Sequence, residues 1–432
     1  MKIILISSFF LFLLSFFSYR KLFNFIILII MVIIYCSLPE LDNFSRFFLL
    51  FLILNSSMIL TYNKLNLEFD PNTLLILNLI STFLIILSNN LFLLYLLIEI
   101  QTFSLFILIG KNKKSIKSIE AALKYFLMGG LSSGLFLLGL VFLYKNNINL
   151  DITNFNSLDL NNLGSKLSYL SINLSIIFKL ALFPLQFWIS DIYEGVNLNI
   201  LLILSTLPKI SLIVIILKII NNNSFYLSFS FFSIIIGSLG AFNQTKINRL
   251  IAYSGVANIG FIILSMNLLN SFGFESSLVY IIVYFFTLSS LIIILSSSKN
   301  KFIIFLNNSW FNIKPIGLVI VILILSLSGL PPLLGFFSKW LVFLSLVESG
   351  KLFLSISIIL MTSLSVGFYL RLVKIIFFHN NSSLVKFERI LSKPKFLNYN
   401  IYIMINFIFI MNIILMLNPN IISLLSSWSL IN

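Results

Sequence analysis

The sequence predicts an all-α polytopic membrane protein, and three observations support this fold class. Hydrophobic residues make up 59% of the 432-residue chain, charged residues make up 9%, and the mean hydropathy is +1.09, which is far from the mix of a soluble globular domain. Runs of about 18 to 24 mainly apolar residues recur along the chain, and in hydrocarbon a helix satisfies all its own backbone groups. Short gaps rich in lysine, arginine and asparagine separate the runs. We therefore expect about fourteen transmembrane helices.

The predicted helices follow the apolar runs in order. The runs 167–201 and 315–347 are too long for one straight crossing, so each is expected to contain a break. The run 3–18 resembles a signal peptide, but it lacks a clear small-residue cleavage site and is assigned as the first helix. The other predicted spans are 22–38, 47–61, 72–88, 90–109, 119–143, 203–220, 225–243, 249–269, 276–297, 353–378 and 399–418.

The net charge of +15 does not indicate a nucleic-acid partner, because the basic residues are spread over the polar gaps and form no basic polar domain. They concentrate after odd-numbered predicted helices, as in the pair Arg20 and Lys21 and in the run from Lys111 to Lys117. By the positive-inside rule these gaps face the cytoplasm or the mitochondrial matrix. The basic residues therefore indicate the orientation of the chain in a lipid membrane.

The sequence predicts no cofactor bound by this chain. Its single cysteine, Cys36, and single histidine, His379, are too few for a haem, iron–sulfur, zinc or copper site. No Walker loop or dinucleotide-type glycine fingerprint is present. The chain is therefore expected to contain neither a redox centre nor a nucleotide site.

Prolines occupy the two overlong runs, where a membrane helix should be continuous. Pro184 lies in the first, and Pro331 with Pro332 lies in the second. Proline removes a backbone donor and clashes with the preceding turn, so both helices should break or kink. Backbone groups freed at membrane depth must face protein or water. For either run alone, an ordinary proline kink is the alternative.

The two breaks together predict an internal repeat. Each falls in the fourth helix of a five-helix block, and interrupted helices at corresponding positions are typical of repeated transporter folds. Because each block has an odd number of spans, the second block should run inverted relative to the first. The predicted domains are an N-terminal three-helix segment (1–70), a first repeat (71–221), a second, inverted repeat (224–379) and a C-terminal loop and helix (380–432).

Five ionisable residues lie inside apolar runs, namely Glu99, Lys124, Lys179, Lys209 and Lys339. A charge at the bilayer centre is costly, so such residues indicate an ion or proton path. Burial disfavours the charged form of a lysine, so a buried lysine can store and pass a proton. The alternatives are a structural ion pair for Glu99 and, for Lys124, a side chain that reaches back to the membrane surface.

Two further carboxylates, Asp191 and Glu194, follow the first break. We expect them in a turn near the membrane face, as a helix cap or a subunit contact, and not as a catalytic pair.

Several motifs carry a family resemblance. The segments IEIQTFSLFIL around Glu99, FKLALFPLQFWISDIYEG with Lys179, LPKIS with Lys209 and SGLPPLLGFFSKW with Lys339 resemble the subunit 2 family of antiporter-like membrane subunits of the respiratory NADH:ubiquinone oxidoreductase, complex I. This family is related to cation/proton antiporters. The resemblance implies an antiporter-like fold with two inverted five-helix repeats.

The resemblance also implies roles for the buried charges. Glu99 would be the carboxylate of an ion pair, with Lys124 and Lys179 as its partner and the central proton carrier, and the residues leave open which lysine is the partner. Lys209 would be the connecting lysine and Lys339 the terminal lysine towards the exit. FMN, iron–sulfur clusters and ubiquinone would be held by other subunits. The expected partners are other membrane-arm subunits, including neighbouring antiporter-like ones.

Two positions depart from the family pattern. Gln186 and Asn258 stand where the family often has histidine. Neither side chain titrates, but both can hold water through hydrogen bonds.

Two other functions remain open at the level of sequence: an autonomous cation/proton antiporter, and a structural subunit whose charges only hold helices together. Alanine is rare while Ile, Leu, Phe, Asn, Ser and Lys are abundant, which indicates coding DNA rich in A and T. An organellar gene and the mitochondrial inner membrane fit this bias, and a bacterial plasma membrane is the alternative.

Overall fold

The described part of the protein is helical. A computed structural model describes residues 42–62, 69–156, 162–219, 224–268, 270–296, 303 and 314–378. Within these residues it contains fourteen helices and no strand beyond an isolated bridge between Asn90 and Asp151. The predicted helices 3–18, 22–38 and 399–418, together with Cys36 and His379, lie outside the described residues.

The chain divides into two compact units, the first ending at Asn221. Its described helices are α1 (Asn43–Tyr62), α2 (Phe69–Leu87), α3 (Leu91–Ile109), α4 (Ile116–Lys145), α5 (Ile152–Asn156), α6 (Leu163–Leu180), α7 (Phe187–Gly195) and α8 (Leu198–Ile219). Those of the second unit are α9 (Ser224–Phe242), α10 (Ile247–Met266), α11 (Ser271–Leu295), α12 (Lys314–Ser328), α13 (Leu334–Glu348) and α14 (Leu352–Phe378).

These fourteen helices are not the fourteen predicted spans, because they include the short helices α5 and α7 and omit the spans outside the described residues. Seven of them are long and apolar enough to cross a membrane, namely α3, α4, α8, α9, α10, α11 and α14. One predicted boundary is wrong: the run 167–201 extends into α8, which begins at Leu198. Helix α7 ends at Gly195 because Val196 is extended, with φ −93° and ψ 148°.

Helix α8 forms the centre of the first unit. In its most apolar stretch, 89% of the residues are buried, as expected for a helix that is hydrophobic on all sides. In the corresponding stretch of helix α4, only 28% of the residues are buried. It packs closely on α6 at Gly139, where a Cβ atom would lie only 2.5 Å from Ile172 Cγ1.

In the second unit, α9 and α10 approach each other through glycines. A Cβ atom on Gly237 would lie 2.6 Å from the Ala257 nitrogen, and one on Gly260 would overlap Ser233 Oγ. Backbones can come this close only where a side chain is missing. Larger residues at these positions would force the two helices apart.

Helices α6 and α12 end in the same turn. The residue after each helix is left-handed, Ala181 with φ 56° and Gly329 with φ 82°. The amide of each residue bonds the carbonyl three residues back, at 3.0 and 3.1 Å, and the next amide bonds the carbonyl five residues back, at 3.2 and 3.3 Å. This is the Schellman pattern of a helix end. The peptide bonds preceding Pro184 and Pro332 are cis.

Candidate functional site

A largely buried ion pair joins α3 to α6. Lys179 Nζ donates to Glu99 Oε1 at 3.2 Å, and Thr102 Oγ1 lies 3.5 Å from the other carboxylate oxygen. The two charged side chains are 11% and 17% exposed. Of the two lysines that the sequence left open, Lys179 is therefore the one that contacts Glu99 in this structure.

A cavity opens beside this pair. Its volume for the centres of water molecules is about 40 Å³, and one water needs roughly 10 to 15 Å³, so about three fit. Lys179 and Lys209 both line it, so the two lysines face one shared space. The other polar, aromatic and glycine positions of the wall are Gln101, Thr102, Tyr125, Gly129, Ser132, Phe178, Trp188 and Tyr193.

Lys209 is buried in α8 and only 4% exposed. Its Nζ lies 5.5 Å from the centroid of the Tyr193 ring. Among the described residues no hydrogen-bond acceptor is assigned to this nitrogen. An ammonium group without an acceptor needs water or gives up its proton, and the cavity supplies room for that water.

Two other donors reach the same region without a partner among the described residues, Gln101 Nε2 and Trp188 Nε1. Gln101 also ties the helices together, because Ser211 Oγ of α8 donates to its Oε1 at 3.2 Å. Pro208 of α8 has no amide proton for the carbonyl of Leu204, four residues back, and both residues line the cavity. The cavity wall therefore offers both hydrogen-bond donors and a freed acceptor.

Lys124 has different partners. Its Nζ lies 2.9 Å from Asp191 Oδ2 and 2.7 Å from Glu120 Oε1, and Lys117 pairs with Glu194 at 2.8 Å. The prediction that Asp191 and Glu194 lie in a turn was wrong, because α7 continues to Gly195 and both carboxylates reach lysines of α4. Lys124 is 36% exposed, so this ion pair is not enclosed like that of Glu99.

Lys218, nine residues after Lys209 in α8, is held by fixed acceptors. Its Nζ donates to the carbonyls of Ile86 and Ser88 at 2.6 and 2.9 Å and to Asn89 Oδ1 at 3.3 Å. These carbonyls lie at the C-terminal end of α2. Lys218 therefore caps that helix end.

In the second unit, Lys339 of α13 lies at the end of α12. Its Nζ donates to the carbonyl of Ser328 at 2.6 Å and lies 3.4 Å from Ser365 Oγ. The Phe261 ring is 5.7 Å away. Since the C-terminus of a helix carries partial negative charge, this position stabilises an ammonium group.

The two predicted water-holding residues differ in their surroundings. Asn258 is buried and its Oδ1 accepts a hydrogen bond from Tyr280 Oη at 2.9 Å. Gln186 is 3% exposed, and its Oε1 has no partner among the described residues. Gln186 follows Pro184 in the first break but does not line the cavity.

Sequence reasoning missed Gln101, Trp188 and Tyr193, and it did not predict the pairing of Asp191 with Lys124. The first three are polar or aromatic positions in apolar runs, and nothing local distinguishes them from packing residues. A signal did exist for Asp191. The segments ALFP and GLPP place Asp191 ten residues after Ala181, just as Lys339 lies ten residues after Gly329.

The described residues are helical and combine an ion pair in the interior, a water-sized cavity lined by lysines and a cation at a helix end. This combination defines the class of multi-pass membrane proteins with ionisable groups in their helical core. Residues 88–366 match the family model described as NADH:quinone oxidoreductase/Mrp antiporter, TM. The chain therefore belongs to this family of membrane proteins.

Individual relatives agree. The chain is 31% identical over 361 residues to NADH-ubiquinone oxidoreductase chain 2 of Metridium senile, covering 81% of this chain and 94% of the relative. It is 31% identical over 360 residues to NADH-quinone oxidoreductase subunit N of Rickettsia felis, covering 78% of each.

Solved structures share the fold. A chain of respiratory complex I from Thermus thermophilus matches with a TM-score of 0.84 at 22% identity, covering 98% of both chains. A chain of the Mrp complex from Dietzia sp. matches with a TM-score of 0.85 at 14% identity, covering 99% of this chain and 95% of that one.

Proposed function

We propose that this chain is a proton-translocating membrane-arm subunit of a respiratory NADH:ubiquinone oxidoreductase, complex I. Quinone reduction would occur elsewhere in the complex, where other subunits would hold FMN, iron–sulfur clusters and ubiquinone. Sequence identity favours this function over an autonomous cation/proton antiporter, because the relatives at 31% identity carry oxidoreductase subunit names, whereas the Mrp neighbour is 14% identical. The composition and the resemblance favour the mitochondrial inner membrane as the location.

The observation that carries the proposal is the cavity shared by Lys179 and Lys209. Water in this space would connect an ion-paired lysine to a lysine without a protein acceptor. A proton can then move from one to the other without any redox group in the chain. The unpaired donors and the freed Leu204 carbonyl give such water its hydrogen-bond partners.

The Glu99–Lys179 pair would act as the control element. At an effective dielectric constant of about 20, two unit charges at the observed 3.2 Å attract by roughly 5 kcal/mol, and at about 8 Å by roughly 2 kcal/mol. Separation of the pair would thus weaken the hold of Lys179 on its proton by about 3 kcal/mol. Because both groups stay desolvated when they separate inside the protein, opening costs this attraction unless water in the cavity hydrates Lys179.

We further propose that the two breaks are equivalent parts of two inverted five-helix repeats. The matching left-handed residues and hydrogen bonds at Ala181 and Gly329 support this proposal. In this scheme Lys339 is the terminal proton carrier, a role taken from the family resemblance. Lys124 keeps a proposed role in proton transfer next to Lys179, but its ion-pair partner is Asp191 and not Glu99.

Replacement of Lys209 tests the proposal. In the assembled complex, Lys209→Met should lower proton transfer through this chain on the order of 100-fold, as expected when a positioned proton carrier is removed. The measurement is the ratio of protons moved to NADH oxidised in reconstituted vesicles. Lys145→Met, at the exposed end of α4, is the matched control and should leave the ratio unchanged. An unchanged ratio for Lys209→Met would overturn the proposal.

A further inference from the structure

The residues that end α6 and α12 differ at one informative position. Both turns need a left-handed residue, and the chain has Ala181 in the first and Gly329 in the second. Ala181 is fully buried, so a side-chain methyl group is compatible with this turn. Gly329 has the larger φ, which by itself favours glycine over alanine, but this strain does not account for the lack of space for a methyl group at the second turn.

Contacts with Lys339 do explain it. A Cβ atom on Gly329 would lie 2.6 Å from Lys339 Cδ, 3.1 Å from Cε and 3.2 Å from Nζ. The lysine side chain thus occupies the space in which a methyl group would stand. No real Cβ atom makes a 2.6 Å contact, so an alanine here would displace the lysine or the turn.

The displaced contact would be the hydrogen bond from Lys339 Nζ to the Ser328 carbonyl, at 2.6 Å. Ser328 is the last residue of α12, and the final carbonyls of a helix lack intrahelical donors. The ammonium group supplies one donor and sits at the negative end of the helix. The missing side chain at position 329 lets the lysine approach this carbonyl.

We propose that Gly329 is a positioning residue for Lys339, holding its ammonium group on the C-terminal carbonyl of α12. The inference rests on the proposed function, in which Lys339 is the terminal proton carrier. Gly329 itself handles no proton. Its role is to leave room for the lysine side chain at the second break.

The test is Gly329→Ala in the assembled complex, with the pH dependence of proton translocation as the readout. Loss of a charge-assisted hydrogen bond weakens the protonated form, so the midpoint should move to lower pH by about one unit, a tenfold change in the protonation equilibrium. Gly350→Ala is the matched control. Gly350 also has positive φ, +72°, but nothing lies within 4 Å of its Cβ position. It introduces the same backbone strain without touching Lys339, and should leave the midpoint in place.

Lys339→Met separates this inference from the proposed function. If Lys339→Met leaves proton translocation intact, the proposed role of the lysine fails. If Lys339→Met impairs translocation but Gly329→Ala matches Gly350→Ala at every pH, only the positioning role is overturned. If Gly329→Ala fails to assemble, the double variant Gly329→Ala, Lys339→Ala removes the carbon that the new methyl group would contact. Recovery of assembly then supports the inference, and continued failure overturns it.

Discussion

At the scale of single residues, the acceptors around a lysine decide what it can do. Lys179 faces a carboxylate, Lys339 faces a helix carbonyl, and Lys209 faces an aromatic ring and a cavity. The sequence alone identified all three as buried cations, because apolar runs surround them. It did not distinguish Lys124 from Lys179 as the partner of Glu99, because the partner depends on how α3, α4 and α6 face one another.

The ring of Tyr193 beside Lys209 gives a prediction at this scale. A desolvated cation–π contact contributes about 2 kcal/mol, so Tyr193→Leu should impair proton translocation through Lys209. Tyr193→Phe keeps the ring and should retain most of the activity. The ratio of protons moved to NADH oxidised checks both variants. Equal impairment by Phe and Leu would show that the hydroxyl group matters and not the ring.

At the scale of elements, the sequence located the helices well and their ends less well. The runs predicted α3, α4 and α9 to within a few residues, because length and apolar character fix a membrane helix. The boundary between α7 and α8 was missed, since no proline marks Val196. The ion pairs of α4 with α7 were missed because they depend on tertiary packing.

The glycine contact between α9 and α10 predicts a packing defect. Gly237→Ala would place Cβ 2.6 Å from the Ala257 nitrogen, whereas Gly367→Ala on α14 would place it 3.4 Å from the Phe242 ring, an ordinary contact. Overpacking of this kind costs about 1 to 3 kcal/mol. In thermal unfolding of the purified complex, Gly237→Ala should lower the unfolding temperature, whereas Gly367→Ala should leave it unchanged. Equal stability of the two variants would contradict the close approach of these helices.

At the scale of the whole molecule, composition and hydropathy were sufficient to predict the fold class, and the motifs were sufficient to predict the family. The described helices and the relatives confirm both. The cavity was beyond sequence reasoning, because its wall combines residues from α3, α4, α6, α7 and α8. The sequence of each helix does not show which of its faces meets the others, and only the packing reveals which side chains meet.

Assembly gives the prediction at this scale. Extracted in mild detergent, the chain should migrate on a native gel with a large assembly that contains flavin and iron–sulfur clusters, because the proposed function couples its proton transfer to redox chemistry in other subunits. In-gel NADH oxidation together with immunodetection of this chain is the measurement. Migration as a small species that exchanges cations for protons on its own would favour the antiporter alternative.

Lys218 shows that a lysine in a membrane helix such as α8 can have a purely structural role. Its ammonium group donates to two carbonyls and an amide oxygen, so all three of its protons are engaged and it joins α8 to the C-terminal end of α2. Lys209, nine positions earlier, has the Tyr193 ring beside it and faces the cavity. A count of basic residues in membrane helices therefore overstates the number of proton carriers unless lysines with a structural role, such as Lys218, are left out.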